Sequence, residues 1–270
     1  MHHEEFEPPE ELKDIIKCFW YTRRDFGEQR SDFEILPDGY AEIFFHFGSD
    51  CSIAYNGILQ PLSSPFLMGL LSQPVVLNTK GRFEVIGIRC FPWTVFNLLG
   101  LPSDKNRSRI AKHPIALLQA RLNKRVMEGQ IPEAVAELSA YFLQAGPQTD
   151  TDSLLVKAGF AIREAKGSMP VNQVAAAAHA TVRTLERKFR LSAGYTVKDV
   201  SGLTRFEEAR NKLLIDPYCS ITGLAHELGY ADQSHLSREF KRYSGITPAA
   251  FARSVKNDIS GNHFVAFIQD

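Results

Sequence analysis

The residues of this chain best suited to recognition chemistry lie in ITGLAHELGYADQSHLSREFKRYSGITPAAF (221–251), and the chemistry they suit is hydrogen bonding to base edges. Ile221, Leu224, Ala225 and Leu228 recur at helical spacing, and Gly229 follows where a helix must stop with a left-handed residue. Asp232 is suited to N-cap a second helix, because its carboxylate can accept from the free amides of a first turn. On that helix Leu236 and Phe240 are four residues apart and face the core, so Ser234 and Arg238, at about 100° per residue, point the opposite way. Gln233, Ser234, His235 and Arg238 are therefore the candidates for a major groove.

The same pattern occurs earlier, in VNQVAAAAHATVRTLERKFRLSAGYTV (171–197). Val171, Val174, Ala175 and Ala178 form the apolar stripe, Thr181 is the expected N-cap, and Leu185 with Phe189 repeats the inward pair. Arg183 and Arg187 then face outward. A guanidinium fork matches guanine O6 and N7 together, a pairing worth roughly 1–3 kcal/mol of discrimination. Lys188, Arg190, Lys241 and Arg242 flank these faces, and their long stems and charges suit phosphates, which position a protein without specifying sequence. Between the units, VSGLTRFEEARNKLLID (200–216) predicts a linker helix, with Leu203, Phe206, Ala209 or Arg210, and Leu213 at helical spacing and Asp216-Pro217 ending it. At about 1.5 Å per residue it spans roughly 25 Å, and recognition helices held about 34 Å apart would enter successive major grooves on one DNA face.

On LERKFRLSAGYTV, RFEEARNKLL and LAHELGYADQSHLSREFKRYSGITPAAF, residues 154–256 resemble the DNA-binding domain of the AraC/XylS family of transcription regulators. The resemblance implies two helix-turn-helix units joined by a linker helix. It also implies that Arg183, Glu186 and Arg187 in the first unit, and Gln233, Ser234 and Arg238 in the second, occupy base-facing positions. Three residues depart from the family pattern. His179 stands where the first unit usually has its turn glycine, Glu186 puts a carboxylate on a DNA-facing surface, and Leu236 replaces the commoner phenylalanine. Glu186 has two readings, acceptance from a cytosine amino group or pairing with Arg183 or Arg190 on its own helix.

The chain carries 31 basic and 31 acidic residues, a balance that by itself argues against a generic nucleic-acid binder. The distribution reverses that inference. Residues 160–256 hold 15 Lys+Arg against 9 Asp+Glu, a net of +6, which leaves 16 basic and 22 acidic residues elsewhere. At 270 residues the chain has room for two cores. The expected division is a sensor or dimerisation domain over 1–145, a linker at GPQTDTDS (146–153), the DNA-binding domain over 154–256 and an apolar tail over 257–270, expected to pack back onto a domain. No run of about 20 apolar residues occurs, and the acidic start lacks the apolar core of a signal peptide, so a cytoplasmic protein with no membrane partner is expected. Cys18, Cys51, Cys90 and Cys219 are scattered and read as reduced and mostly buried.

Over about 1–130 the chain reads as β-rich, with segments at 32–49, 51–60, 65–81 and 82–92 full of β-branched and aromatic residues and separated by Pro, Gly and Asn. A short amphipathic piece (8–23) precedes them, and 93–100, 115–129 and 131–145 read as helices. The fold class expected is two-domain α+β, an N-terminal β-rich domain with flanking helices followed by an all-α double helix-turn-helix domain. The order of PPEEL, ILPDGYAEIFFHFG and IGIRCFPWTVFNLL is similar to sensor domains attached to some AraC-type regulators, which implies a cupin-like or related small β-barrel fold that senses a small molecule or dimerises. Isolated His46 and His113 do not make the His-x-His spacing of a metal barrel, and His46 is read as a packed or hydrogen-bonded strand residue. Asp38 is read as a turn residue. No catalytic constellation, metal site or cofactor loop is expected. The partners implied are double-stranded promoter DNA, RNA polymerase, a small-molecule effector whose contacts the sequence does not assign, and a second copy of the chain.

Overall fold

Alternation with period two builds the first half of the fold. In β4 (Ala41–Gly48), Ala41, Ile43, Phe45 and Phe47 point to one face and Glu42 and Phe44 to the other, and both faces are covered. The structure is a computed structural model and describes residues 2–27, 31–48, 50–55, 58–101, 112–145 and 153–257. One antiparallel sheet has the order β1 (His2–Phe6), β2 (Ile16–Asp25), β9 (Arg82–Cys90), β4 and β7 (Phe66–Met68). The second has the order β3 (Ser31–Ile35), β8 (Val75–Thr79), β5 (Cys51–Tyr55) and β6 (Ile58–Pro61). The two sheets face each other across Trp20, Phe33, Phe44, Ile53, Leu77 and Phe83. On its outer side the five-stranded sheet is covered by α1 (Val95–Leu98), a 3-10 turn (Pro114–Leu118), α2 (Gln119–Met127) and α3 (Ile131–Ala145), through Phe19, Phe45, Ile88, Leu122, Leu138 and Phe142 among others.

Two segments of this half are divided more finely than their composition indicates. The amphipathic piece at 8–23 is helical only over Glu10–Leu12, and Ile16–Asp25 is a strand, because aromatic and β-branched residues there place Phe19 and Tyr21 on one face and Trp20 on the other. The segment at 65–81 is two strands on different sheets, separated by Gly69–Pro74. His46 is a strand residue whose Nε2 lies 3.2 Å from the Leu62 carbonyl, and burial lowers its pKa. Among the four cysteines, all free, Cys18, Cys51 and Cys90 are buried and Cys219 is half-buried.

The second half is helical: α4 (Ser153–Glu164), α5 (Val171–Ala177), α6 (Val182–Ala193), α7 (Val197–Ile215), α8 (Ile221–Glu227), α9 (Gln233–Ser244) and α10 (Pro248–Asn257). The linker helix α7 starts earlier than its apolar spacing indicates. Thr196 and Asp199 form a capping box that sets its first turn three residues before Val200. The core of this half is continuous with Leu36, Tyr40, Leu70, Phe91 and Trp93 of the sheet half. Most of the expected linker at 146–153, and the expected tail apart from Asn257, lie outside the described residues.

Candidate nucleic-acid interface

Each helix-turn-helix unit is built by local rules. In the second unit α8 ends at Glu227 with Leu228 as its C-cap, and Gly229 adopts φ 72°. A Cβ there would lie 3.0 Å from Ser168 Cβ, so both the backbone angle and the space favour glycine. Asp232 Oδ1 accepts from His235 N at 2.7 Å and starts α9. Leu236 and Phe240 are fully buried, and Phe240 packs edge-on against Phe206 of α7 at 4.9 Å. In the first unit His179 takes the left-handed turn at φ 53°, and Thr181 Oγ1 accepts from Thr184 N at 3.2 Å to start α6. Leu185 and Phe189 are fully buried.

With the inner faces fixed, Arg183 and Arg187 on α6 and Gln233, Ser234 and Arg238 on α9 are exposed. Arg190, Lys241 and Arg242 are exposed beside them, and Lys188 is half-buried. Several of these side chains also have partners within the chain. Gln233 Oε1 accepts from the Thr222 hydroxyl at 2.8 Å and ties the two helices of its unit together. His235 is half-buried, with its ring edge-on to Tyr230 at 5.2 Å. Arg242 Nη2 lies 3.5 Å from Asp199 Oδ1, and the Glu186 carboxylate lies 4.0 Å from Arg190 Nε, one helical turn away.

The interactions that seat the two units differ. Glu239 of α9 accepts from both the Nε and Nη2 of Arg205 on α7 and from the Tyr230 hydroxyl at 2.8 Å. The first unit instead meets the sheet half: Phe189 lies 6.1 Å from Trp93, which stacks on Phe91 at 5.3 Å. The Tyr195 hydroxyl, just before α7, donates to the Leu70 carbonyl at 2.7 Å. A buried charge set completes this junction. Arg89 pairs with Glu42 at 2.8 Å and with Asp38 at 3.3 Å, Arg163 pairs with Glu207 at 3.6 Å, and Arg210 donates to the Pro37 carbonyl at 3.0 Å. Asp38 also accepts from Tyr40 N at 3.0 Å, the turn contact its sequence context indicates. Gly39 permits the approach, since a Cβ there would sit 3.0 Å from Arg163 Nη1 and 3.1 Å from Glu207 Oε2. Sequence reasoning missed this set. The available signal was a charged residue inside an apolar strand, Glu42 in AEIFFHF and Arg89 in VIGIRCF, which cannot be buried without a partner.

A second feature lies between the sheets. Trp20, Phe33, Phe44, Phe66 and Phe83, with Glu42, wall an aromatic cavity with about 40 Å³ of free space, room for a few waters. Burial pushes the Glu42 carboxyl up to about 7 against the pull of Arg89, with the charge of Asp38 adding to the rise. Among the described residues no cluster of His, Cys, Asp and Glu could hold a metal ion, and no helix is long and apolar enough to cross a membrane.

Two units of this geometry on one linker helix define a double helix-turn-helix protein. Residues 174–254 match the profile described as "Helix-turn-helix domain", and residues 4–111 match a domain of unknown function, DUF6597. The HTH-type transcriptional regulator RipA of Corynebacterium glutamicum is 37% identical over 71 residues, 26% of this chain and 21% of that protein. The Msm operon regulatory protein of Streptococcus mutans is 28% identical over 91 residues, 34% of this chain and 32% of that protein. The chain thus spans about a fifth and a third of the length of these two relatives. Among solved structures, ToxT from Vibrio cholerae aligns with a TM-score of 0.47 and 13% identity, covering 87% of this chain and 98% of that one. Residues 174–254 thus carry a helix-turn-helix domain, and over that part the chain is similar to bacterial transcription regulators.

Proposed function

We propose that this chain is a sequence-specific DNA-binding transcription regulator of the cytoplasm that reads promoter DNA in two successive major grooves. The observation that carries the reading is the pair of capped helices, α6 and α9, each with a buried apolar face and an exposed face bearing Arg183 and Arg187, or Gln233, Ser234 and Arg238. In this reading those residues, with Glu186 and His235 beside them, meet base edges, while Lys188, Arg190, Lys241 and Arg242 meet phosphates. The 19 residues of α7 span roughly 28 Å, of the order needed to set two helices one DNA turn apart. The division into 1–145 and 154–256 assigns control to the first part, by a small effector or by dimerisation, and contact with DNA and RNA polymerase to the second. No bond-making chemistry belongs to this reading.

A second reading, in which the N-terminal part only oligomerises and no effector exists, is favoured by Leu117 and Met127, apolar side chains 81% and 77% exposed around α2. Mass measured in solution for the full chain and for Leu117→Glu tests oligomerisation through this face, and thermal stabilisation by an added small molecule, expected only of an effector-controlled chain, separates the two readings. The DNA reading itself is tested by selecting sites from random DNA with the full chain, then measuring affinity for the enriched site across a salt series. Enrichment of two half-elements about one helical turn apart, with affinity falling steeply as salt rises, is the expected result. Absence of any enriched sequence contradicts it.

A further inference from the structure

Glu42 occupies two places at once. Its side chain shares the inward face of β4 with Phe44 and walls the aromatic cavity. It also lines a smaller cavity of about 20 Å³ with Asp38, Tyr40 and Arg210, at the junction with α7. The cross-strand partner of Glu42 in the sheet register is Arg89, whose side chain is 1% exposed and reaches on to Asp38. The carbonyl next to Asp38, that of Pro37, holds Arg210 of α7, a residue 2% exposed. Tyr40 meets the guanidinium groups of both Arg89, at 5.1 Å, and Arg163, at 4.0 Å.

We propose that Glu42, acting through Arg89 and Asp38, is the positioning residue that passes the state of the aromatic cavity to linker helix α7. This deepens the reading of the chain as an effector-controlled regulator and rests on it. Asp38, Glu42 and Glu207 lie against Arg89, Arg163 and Arg210, with Glu42, Arg89, Glu207 and Arg210 buried. Each buried charge is tolerated only while its partner stays in place, so loss of one pairing forces the others to rearrange. Glu42 walls the cavity and is ion-paired to Arg89, so an occupant that displaces this wall disturbs that pairing. The exposed positions of Arg183, Arg187 and Arg238 mean that the sheet half does not cover these DNA-facing residues. Control therefore acts on how the two recognition helices are held, by way of α7, since both units pack on it.

Amide hydrogen exchange of the full chain without DNA tests this, so failure of the relay is distinguishable from failure of the DNA reading. Glu42→Gln and Asp38→Asn keep shape and make each group permanently neutral, and Glu34→Gln on the other sheet is the control. With α2 and α3 as internal reference, exchange across residues 203–213 of α7 should quicken on the order of tenfold in each of the first two variants and not in the control. The double variant should exceed the larger single effect little, as expected for residues in one network. Exchange that quickens in β4 and β9 after Glu42→Gln while α7 keeps its wild-type rate overturns the proposal, whatever Asp38→Asn does. If Glu42→Gln fails to fold cooperatively, Phe44→Leu takes its place, because it alters the cavity beside Glu42 and leaves every charge intact. An unchanged α7 in that variant overturns the proposal equally.

Discussion

The two helix-turn-helix units share a backbone plan and differ in what holds them. The second closes its turn with Gly229 at φ 72° and is fastened to the linker helix by Glu239, Arg205 and Tyr230. The first closes its turn with His179 at φ 53° and rests its buried Phe189 against Trp93 of the sheet half. Equivalent inward phenylalanines, Phe189 and Phe240, thus face different neighbours. The lesson is that a repeated recognition motif need not be a repeated mechanical part. The sheet half touches the first unit directly through Trp93 and touches α7 through Arg210.

The largest expected effect breaks that asymmetry. Trp93→Ala removes a side chain that is 1% exposed and should cost about 3–5 kcal/mol in urea unfolding. Its amide exchange should rise in α6 well before α9, and an equal rise in both would mean the units are seated alike. Next come the turns. Gly229→Ala should cost about 1–2 kcal/mol, because an L residue is strained at that φ and its Cβ meets Ser168. His179→Gly should go the other way and stabilise by about 0.5–1 kcal/mol, since the first unit already carries that strain; thermal melts of both variants check the pair of signs. The smallest effect concerns the outer surface. Lys241→Ala should weaken binding to selected and random DNA alike and reduce the salt slope by about one, read from affinities across a salt series.

Legibility in the sequence followed physical range. Caps and turns are decided within four residues, so Asp232, Thr181 and Gly229 could be placed from local chemistry alone, and the inward pairs Leu185 with Phe189 and Leu236 with Phe240 from helical spacing. The β-rich character of the first half was equally visible. What local pattern left undivided was the piece at 8–23, where a 3-10 turn at Glu10–Leu12 precedes a strand, Ile16–Asp25, buried on both faces. Glu42 and Arg89 stand out in the sequence as charges inside apolar strands, but their partners are far apart in sequence: Asp38, Glu42 and Arg89 come near Arg163, Glu207 and Arg210 only after both halves have folded. Of the outward residues, Gln233 and His235 could be assigned to the recognition helix, but not their added contacts to Thr222 and Tyr230, which depend on how the two helices of the unit cross.

The central claim is that α6 and α9 read separate stretches of one site. It is tested most directly by scanning every base pair of the selected DNA site with the wild-type chain, Arg187→Ala and Arg238→Ala. Each variant should lose about 1–3 kcal/mol of discrimination at its own element, with the two elements centred about 10 base pairs apart. Loss of preference at the same base pairs in both variants, or at none in either, would contradict two recognition helices acting in successive grooves.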